Sequence, residues 1–119
     1  MKESAENYLE AIYVLSKEQP NVRSIDVVNY MEFSKPSISI AMKKLKEKNL
    51  INIDKDGFIK FTETGKSVAS DIFEKHTLLT KIFIHLGVSE ETAKEDACRV
   101  EHYISNETFQ AIKKSIKNL

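Results

Sequence analysis

In the first half of the chain, apolar residues recur at helical spacing between short polar breaks. A first helix is predicted over residues 4–17, with Ser4 as its N-cap, from a stripe formed by Tyr8, Leu9, Ile12, Tyr13 and Leu15. The Pro20 segment ends this helix. Ser24 then opens a second, shorter helix that ends at Met31 and directs Val27, Val28 and Met31 inward.

A third helix and a hairpin follow at once. Ser34 begins the helix, Pro36 lies in its first turn, and the apolar residues Ile38, Ile40, Met42 and Leu45 follow along the next ten positions. Two β-rich segments, residues 50–54 and 58–62, flank the turn sequence KDG. Three helices and a two-stranded wing in this order predict a winged helix-turn-helix over residues 1–62.

Residues 63–119 return to helical patterning, so the fold class is mainly α with a small β-wing. A long helix runs to about His85 and is closed by Gly87, where glycine can adopt the left-handed conformation. Ser89 caps a further helix that extends to about Ile104. Ser105 opens the last helix, whose apolar stripe comprises Phe109, Ile112, Ile116 and Leu119. The boundary near residue 63 is predicted to be functional, without a flexible linker.

Composition narrows the function classes. The 119 residues carry 18 Lys plus Arg and 18 Asp plus Glu, and the hydrophobic fraction of 41% is typical of a folded globular chain. With 3 Gly, a glycine-rich phosphate loop is excluded. A single cysteine, Cys98, cannot form an internal disulfide, and the N-terminus has no secretory apolar region, so a cytoplasmic protein without membrane contact is expected.

The predicted third helix and wing are basic although the whole chain is neutral. Residues 33–60 contain seven lysines (35, 43, 44, 46, 48, 55 and 60) and three acidic residues (47, 54 and 56). Lysines at these positions can neutralise phosphates, and hydroxyls with a proline at the start of the helix can contact base edges. Double-stranded operator DNA is therefore the expected partner, bound by Arg23, Ser34, Lys35, Pro36, Ser37, Ser39, Lys43, Lys44 and Lys55. The alternatives are a solvated helix face or a protein-binding winged helix.

Three metal-ligand residue types share one helix face. Cys98, Glu101 and His102 stand at i, i+3 and i+4, and together offer a thiolate, a carboxylate and an imidazole. Further candidates are His76 and the pair Asn7 and Glu10 at i, i+3 on the first helix. Taken singly, Cys98 is more often a buried small hydrophobe, His102 a surface residue and Glu101 a solvated charge.

The same cysteine and histidine raise the question of an enzyme. A Cys–His pair at i, i+4 can activate a thiolate nucleophile. Because no oxyanion loop, glycine elbow or pocket motif accompanies the pair, the chain is not expected to be an enzyme.

Several of these segments resemble the diphtheria toxin repressor family. They are residues 6–13 (ENYLEAIY), 22–23 (VR), 34–39 (SKPSIS), 44–45 (KL), 61–65 (FTETG), 76–79 (HTLL) and, most specifically, 96–102 (DACRVEH) followed by 104–105 (IS). The resemblance implies a homodimeric transcriptional repressor, activated by iron or manganese and acting in metal homeostasis. It also implies that residues 63–119 bind metal and mediate dimerisation. The chain is similar to short members, such as the manganese transport regulators, without an SH3-like domain; whether it also lacks a final helix that these members possess stays open.

Residue by residue, the resemblance implies metal ligands at Cys98, Glu101 and His102, with Glu10 and His76 where the manganese branch has further ligands. Asn7 stands where the family uses Met or Asp and matches neither. Cys98 is the iron-branch residue, and a thiolate prefers Fe(II) to Mn(II), so Fe2+ is favoured and Mn2+ is the alternative. The dimer contact is expected at Phe109, Ile112 and Ile116, unless that stripe is intramolecular core.

The implied mechanism links metal to DNA. A metal ion joining the first helix to Cys98, Glu101 and His102 would fix the separation of two recognition helices, which must meet half-sites about 34 Å apart. The alternative, kept open by Asn7, is a winged-helix regulator that has lost its metal dependence.

Overall fold

The structure, a computed structural model, describes the backbone of residues 2–116 and the side chains of residues 5–116. It contains the expected helices and hairpin in the expected order: α1 (Lys2–Glu18), α2 (Ser24–Met31), α3 (Lys35–Glu47), β1 (Ile51–Ile53), β2 (Ile59–Phe61), α4 (Glu63–His85), α5 (Glu90–Val100) and α6 (Asn106–Ser115). The predicted mainly α fold with a small wing is confirmed. No helix within the described residues is long and apolar enough to cross a membrane.

The chain divides into two compact units, Met1–Asp71 and Ile72–Leu119. The division falls inside helix α4, which is continuous from Glu63 to His85. The functional boundary near residue 63 stays a prediction.

The core of the first unit is built mainly from aliphatic residues of the three N-terminal helices and the wing, with contributions from the segment before α2 and from the N-terminal part of α4. Because apolar positions of each helix recur three and four residues apart, one face of every helix points to the same interior. This core contains Leu9, Ile12, Leu15, Val22, Val27, Ile38, Ala41, Met42, Leu45, Ile51, Ile59 and Ala69. Val28 and Met31 are half-buried against it.

The wing is a short antiparallel hairpin in which Ile51 pairs with Phe61 and Ile53 with Ile59. The carboxylate of Asp54 stabilises its turn by accepting the backbone N–H groups of Asp56 and Phe58, each at 2.9 Å. At its outer edge, the N–H of Ile59 donates to the carbonyl of Val22 at 2.7 Å. This bond fixes the wing to the segment that precedes α2.

Gly65, in the first turn of α4, allows a close approach of that helix to the wing. A Cβ at this position would overlap the backbone carbonyl of Leu50. The hydroxyl of Thr62 holds the same junction, because it donates to carbonyls of Asn49 and Leu50 and accepts from the N–H of Gly65.

The second unit comprises the C-terminal part of α4 together with α5 and α6. Ser89 and Ser105 cap α5 and α6, and each side chain accepts the backbone N–H three residues later. Gly87 has a φ of +103°, as predicted for the residue that follows α4. The ammonium of Lys113 on α6 lies 2.8 Å from the carboxylate of Glu74 on α4.

Two local expectations, at the start of α1 and at the end of α5, are wrong. Helix α1 already includes Lys2, so Ser4 lies within it. Helix α2 begins at Ser24 as predicted; its N-cap is Arg23, whose N–H donates to the Asp26 carboxylate at 2.8 Å. Helix α5 ends at Val100, four residues before Ile104, because the N–H groups of Tyr103 and Ile104 converge on the Val100 carbonyl in a turn.

Candidate metal centre and DNA interface

Cys98, Glu101 and His102 form a cluster at the end of helix α5. Cys98 lies in the last turn, Glu101 is the C-cap residue and still has right-handed helical backbone angles, and His102 follows it. One ligand atom from each side chain lies within 4.8 Å of the others. The helical spacing therefore still brings these groups together, although α5 ends before Glu101.

Glu101 is the most unusual residue of this cluster because its carboxylate is buried. The residue is 2% exposed, and its Oε2 lies 3.2 Å from Nδ1 of His76 while its Oε1 lies 3.5 Å from Nε2 of His102. Neither carboxylate oxygen has a hydrogen-bond partner among the described residues. A buried carboxylate without hydrogen bonds is costly, and most such groups in proteins have a partner.

The residues present fit a divalent transition metal. They offer sulfur, oxygen and nitrogen, a donor set that suits first-row metals. A cation among these atoms would supply the interactions that the buried Glu101 oxygens lack. Cys98 is exposed, whereas Glu101 and His102 are buried. Each residue taken alone would more often be the reverse, with a buried thiol, a solvated carboxylate and a surface imidazole. The observed burial therefore argues against these bland roles.

The remaining candidate ligands lie on two helices. His76 is on α4, and its imidazole belongs to the arrangement around Glu101. Asn7 and Glu10 are half-buried, one turn apart on α1 in the first unit. Their part in metal binding stays a prediction.

Helix α3 presents a polar face opposite the core of the first unit. Ile38, Ala41, Met42 and Leu45 are buried, while the predicted DNA-contacting residues of this helix are all exposed: Lys35, Pro36, Ser37, Ser39, Lys43 and Lys44. Ser34 caps the helix by accepting the N–H of Ser37 at 3.3 Å, and its hydroxyl donates to that of Ser37 at 2.9 Å. The start of α3 is thus ordered and leaves its hydroxyls at the surface.

Two further predicted DNA contacts lie beside or on the wing. The guanidinium of Arg23 lies 4.6 Å from the ring centroid of Phe58, and the ammonium of Lys60 lies 5.9 Å from the same ring. Lys55 is exposed in the wing turn. The stacking of Arg23 on Phe58 restrains a long, flexible cation next to the hairpin.

The residues of the predicted dimerisation stripe on α6 differ in their burial within the single chain. Phe109 is 1% exposed in the single chain and its ring lies 5.9 Å from the ammonium of Lys75, so it is part of the second unit's own core. Ile112 and Ile116 are half-buried, and Leu119 lies outside the described residues. The surface available to a second copy on this stripe is therefore that of Ile112 and Ile116.

Ile40 on α3 is exposed but was not among the predicted DNA contacts. It is 58% exposed, whereas Ile38 is fully buried. Residues two positions apart are separated by about 200° around a helix, so they cannot face the same core. The spacing of Ile38 and Ile40 in the sequence was therefore enough to predict that one of the two would be exposed.

Comparisons with known proteins agree with both parts of the chain. Residues 1–58 match the N-terminal DNA-binding domain of iron dependent repressors, and residues 62–119 match their metal binding and dimerisation domain. The transcriptional regulator MntR of Escherichia coli is 30% identical, with 94% of this chain and 72% of the relative covered. An HTH-type transcriptional regulator of Methanocaldococcus jannaschii is 33% identical over 95% of this chain and 92% of its own.

Two solved structures show the same architecture. The manganese regulator SloR superimposes with a TM-score of 0.83 at 28% identity, covering 97% of this chain and 54% of SloR. The metal-dependent transcriptional regulator MtsR gives a TM-score of 0.89 at 25% identity, covering 98% of this chain and 55% of MtsR. The chain thus spans about half the length of these structures. The resemblance seen in the sequence is confirmed: the chain belongs to the iron-dependent repressor family of metal-dependent transcriptional regulators, to which the diphtheria toxin repressor also belongs.

Proposed function

We propose that this protein is a transcriptional repressor that binds operator DNA as a homodimer when it is loaded with a divalent metal. Its role is to control metal-ion homeostasis in the cytoplasm, where the single thiol of Cys98 remains reduced. The protein acts as a regulator and not as an enzyme.

The buried Glu101 carboxylate carries this proposal. Its two oxygens face imidazole nitrogens of His76 and His102 at 3.2 and 3.5 Å, in positions where a cation would meet oxygen and nitrogen donors together. Cys98 adds a thiolate from the exposed side. We assign metal binding to Cys98, Glu101, His102 and His76, while Asn7 and Glu10 stay candidates that rest on their spacing and on the resemblance.

Fe(II) is the favoured metal and Mn(II) the alternative. A thiolate donor favours Fe(II), Co(II) and Zn(II), whereas Mn(II) prefers oxygen ligands. The similar proteins carry names of both kinds, since SloR is named a manganese regulator and IdeR of Mycobacterium tuberculosis an iron-dependent repressor. The thiolate of Cys98 supports iron over manganese as the proposed metal.

The DNA-binding surface is α3 with the wing. Exposed serines and Pro36 at the start of α3 suit base edges, while Lys43, Lys44, Lys55 and Arg23 suit phosphates. In a homodimer two such helices meet half-sites about 34 Å apart, or a multiple of that distance. Metal binding and DNA binding are coupled, so each raises the affinity of the protein for the other by the same factor.

Anaerobic fluorescence anisotropy tests the proposal. The probe is a labelled duplex recovered by in vitro selection with the Fe(II)-loaded protein, and its Kd is measured with Fe(II), with Mn(II) and with a chelator. Metal should tighten DNA binding by roughly 5- to 150-fold, and DNA should tighten metal binding equally. Equal DNA affinity with and without metal would support the alternative, a winged-helix regulator without metal dependence. Asn7 favours this alternative because it matches neither of the residues that the family uses at its position.

A further inference from the structure

We infer that Ile40 is a specificity-determining residue that contacts the C5-methyl group of a thymine in each operator half-site. The inference rests on the proposed function, because it requires that α3 enters the major groove. It adds an apolar contact to a surface otherwise composed of lysines, serines and a proline.

The exposure of Ile40 is the first observation. Within α3, the other aliphatic residues Ile38, Ala41, Met42 and Leu45 all lie in the core, whereas Ile40 is 58% exposed. A large side chain thus remains in water on the face opposite the core.

The neighbours of Ile40 place it within the predicted DNA-reading face. Pro36 stands one helical turn before it and Lys43 three residues after it, and both are exposed. Ser39 is exposed beside it. Ile40 is six residues beyond the cap at Ser34, in the N-terminal half of a 13-residue helix. The N-terminal part of a recognition helix is the part that contacts base edges.

The chemistry of the major groove then selects the partner. Guanine, cytosine and adenine present hydrogen-bond donors and acceptors there, and an isoleucine side chain cannot satisfy either. Thymine alone adds a methyl group, and apolar side chains recognise it by direct contact. An isoleucine centred on this face therefore favours thymine over the other bases at one position of each half-site.

Replacement of thymine by uracil tests this contact, since it removes only the methyl group. The probe is the selected duplex, with each thymine replaced in turn by uracil, and the wild type is compared with Ile40→Ala in the metal-loaded state. At one thymine per half-site, uracil should weaken wild-type binding about fourfold, which corresponds to ~0.8 kcal/mol for one buried methyl group. Replacing both symmetric thymines should weaken it about fifteenfold.

Ile40→Ala should bind the thymine duplex more weakly and should lose the preference for thymine over uracil at that position. Ile25→Ala removes a comparably exposed isoleucine, 42% exposed on α2, and should keep the preference. A thymine contacted by Pro36 should keep its dependence on the methyl group in Ile40→Ala, so the two contacts are separable. Because Ile40 is exposed, its replacement should leave the thermal midpoint unchanged.

Retention of the thymine preference by Ile40→Ala, or the absence of any uracil-sensitive thymine in the wild type, would overturn the inference. Failure of the proposed function looks different, because the wild type would then bind the duplex equally well with and without metal, and the uracil comparison would still apply. A third outcome is that the metal-loaded wild type binds no duplex at all. That outcome would overturn both.

Discussion

The two units of the chain differ in what they bury. Among the residues whose side chains are described, the core of the first unit is aliphatic, whereas the second unit buries Glu101 and His102 beside Leu79, Ala93, Ala97 and Phe109. The first unit carries its lysines on its surface, where water and DNA phosphates can reach them. The second unit holds a carboxylate in its interior.

This difference separates a unit with an aliphatic core from one whose interior offers donor atoms to a cation. An aliphatic core stabilises the winged helix without any ligand. The Glu101 carboxylate, in contrast, is buried without hydrogen bonds among the described residues and faces two imidazoles. A positive charge or a metal ion beside such a group offsets the cost of burying it. Metal should therefore stabilise the second unit, and removal of this carboxylate should end that dependence.

Glu101→Gln should produce the largest effect. The substitution keeps the shape of the side chain but removes its charge, so metal affinity should fall by more than about 100-fold, beyond the 10- to 100-fold typical of outer-shell partners. At a metal concentration 100 times its Kd, the wild type should gain about 2.7 kcal/mol in free energy of unfolding, and the variant should gain almost none. Calorimetric metal titration and thermal unfolding with and without metal measure both quantities.

Glu95→Gln is the matched control, since Glu95 is exposed on the same helix α5. It should behave as the wild type. An undiminished metal-induced rise in the thermal midpoint of Glu101→Gln would contradict the assigned role of Glu101.

Gly65→Ala should produce the next largest effect, and it acts in the first unit. The added Cβ would overlap the carbonyl of Leu50. Because that neighbour is backbone, the helix or the wing must shift, and overpacking of this kind typically costs about 1–3 kcal/mol or more. Urea unfolding measures the loss of stability.

Gly57→Ala provides the comparison for Gly65. Gly57 has a φ of +82° but open space around its Cβ position, so its replacement introduces backbone strain of about 1 kcal/mol without a clash. A Gly65→Ala variant no less stable than Gly57→Ala would show that the junction between α4 and the wing is looser than its geometry indicates.

Removal of two equivalent helix caps should produce a smaller effect and sharpen the comparison between the units. Ser34 caps α3 and Ser89 caps α5, each by accepting an N–H at 3.3 Å. Ser34→Ala and Ser89→Ala should each lower the free energy of unfolding by about 1 kcal/mol in urea titrations. Ser34→Ala should also weaken operator binding, whereas Ser89→Ala should not. Equal losses of operator affinity in the two variants would argue against a DNA contact by Ser34.

Sequence patterning predicted the helices because their apolar residues recur regularly and their ends carry local caps. Ser34, Ser89 and Ser105 each precede a helix, and their side chains accept N–H groups as the sequence predicts. The end of α5 was not predictable in this way. No glycine or proline follows Val100, and the turn at residues 101–104 depends on contacts that a local pattern does not encode.

The ligand residues of the candidate metal centre were predictable from the sequence, but the burial of each ligand was not. The spacing of Cys98, Glu101 and His102 places their ligand atoms near each other in any helical geometry. Burial of Glu101 and exposure of Cys98 depend on packing by residues far away in sequence, such as His76 on α4. Local reasoning therefore finds the donors, while tertiary structure shows which donor is buried.

The most direct test of the metal centre is an anaerobic Co(II) titration of the reduced protein, followed by optical absorption, with Cys98→Ser in parallel. The wild type should bind Co(II) saturably and develop a sulfur-to-cobalt charge-transfer band that is absent from Cys98→Ser. Saturable binding without this band would exclude the thiolate and indicate an oxygen and nitrogen site suited to manganese. No saturable binding by the wild type would contradict the metal centre itself.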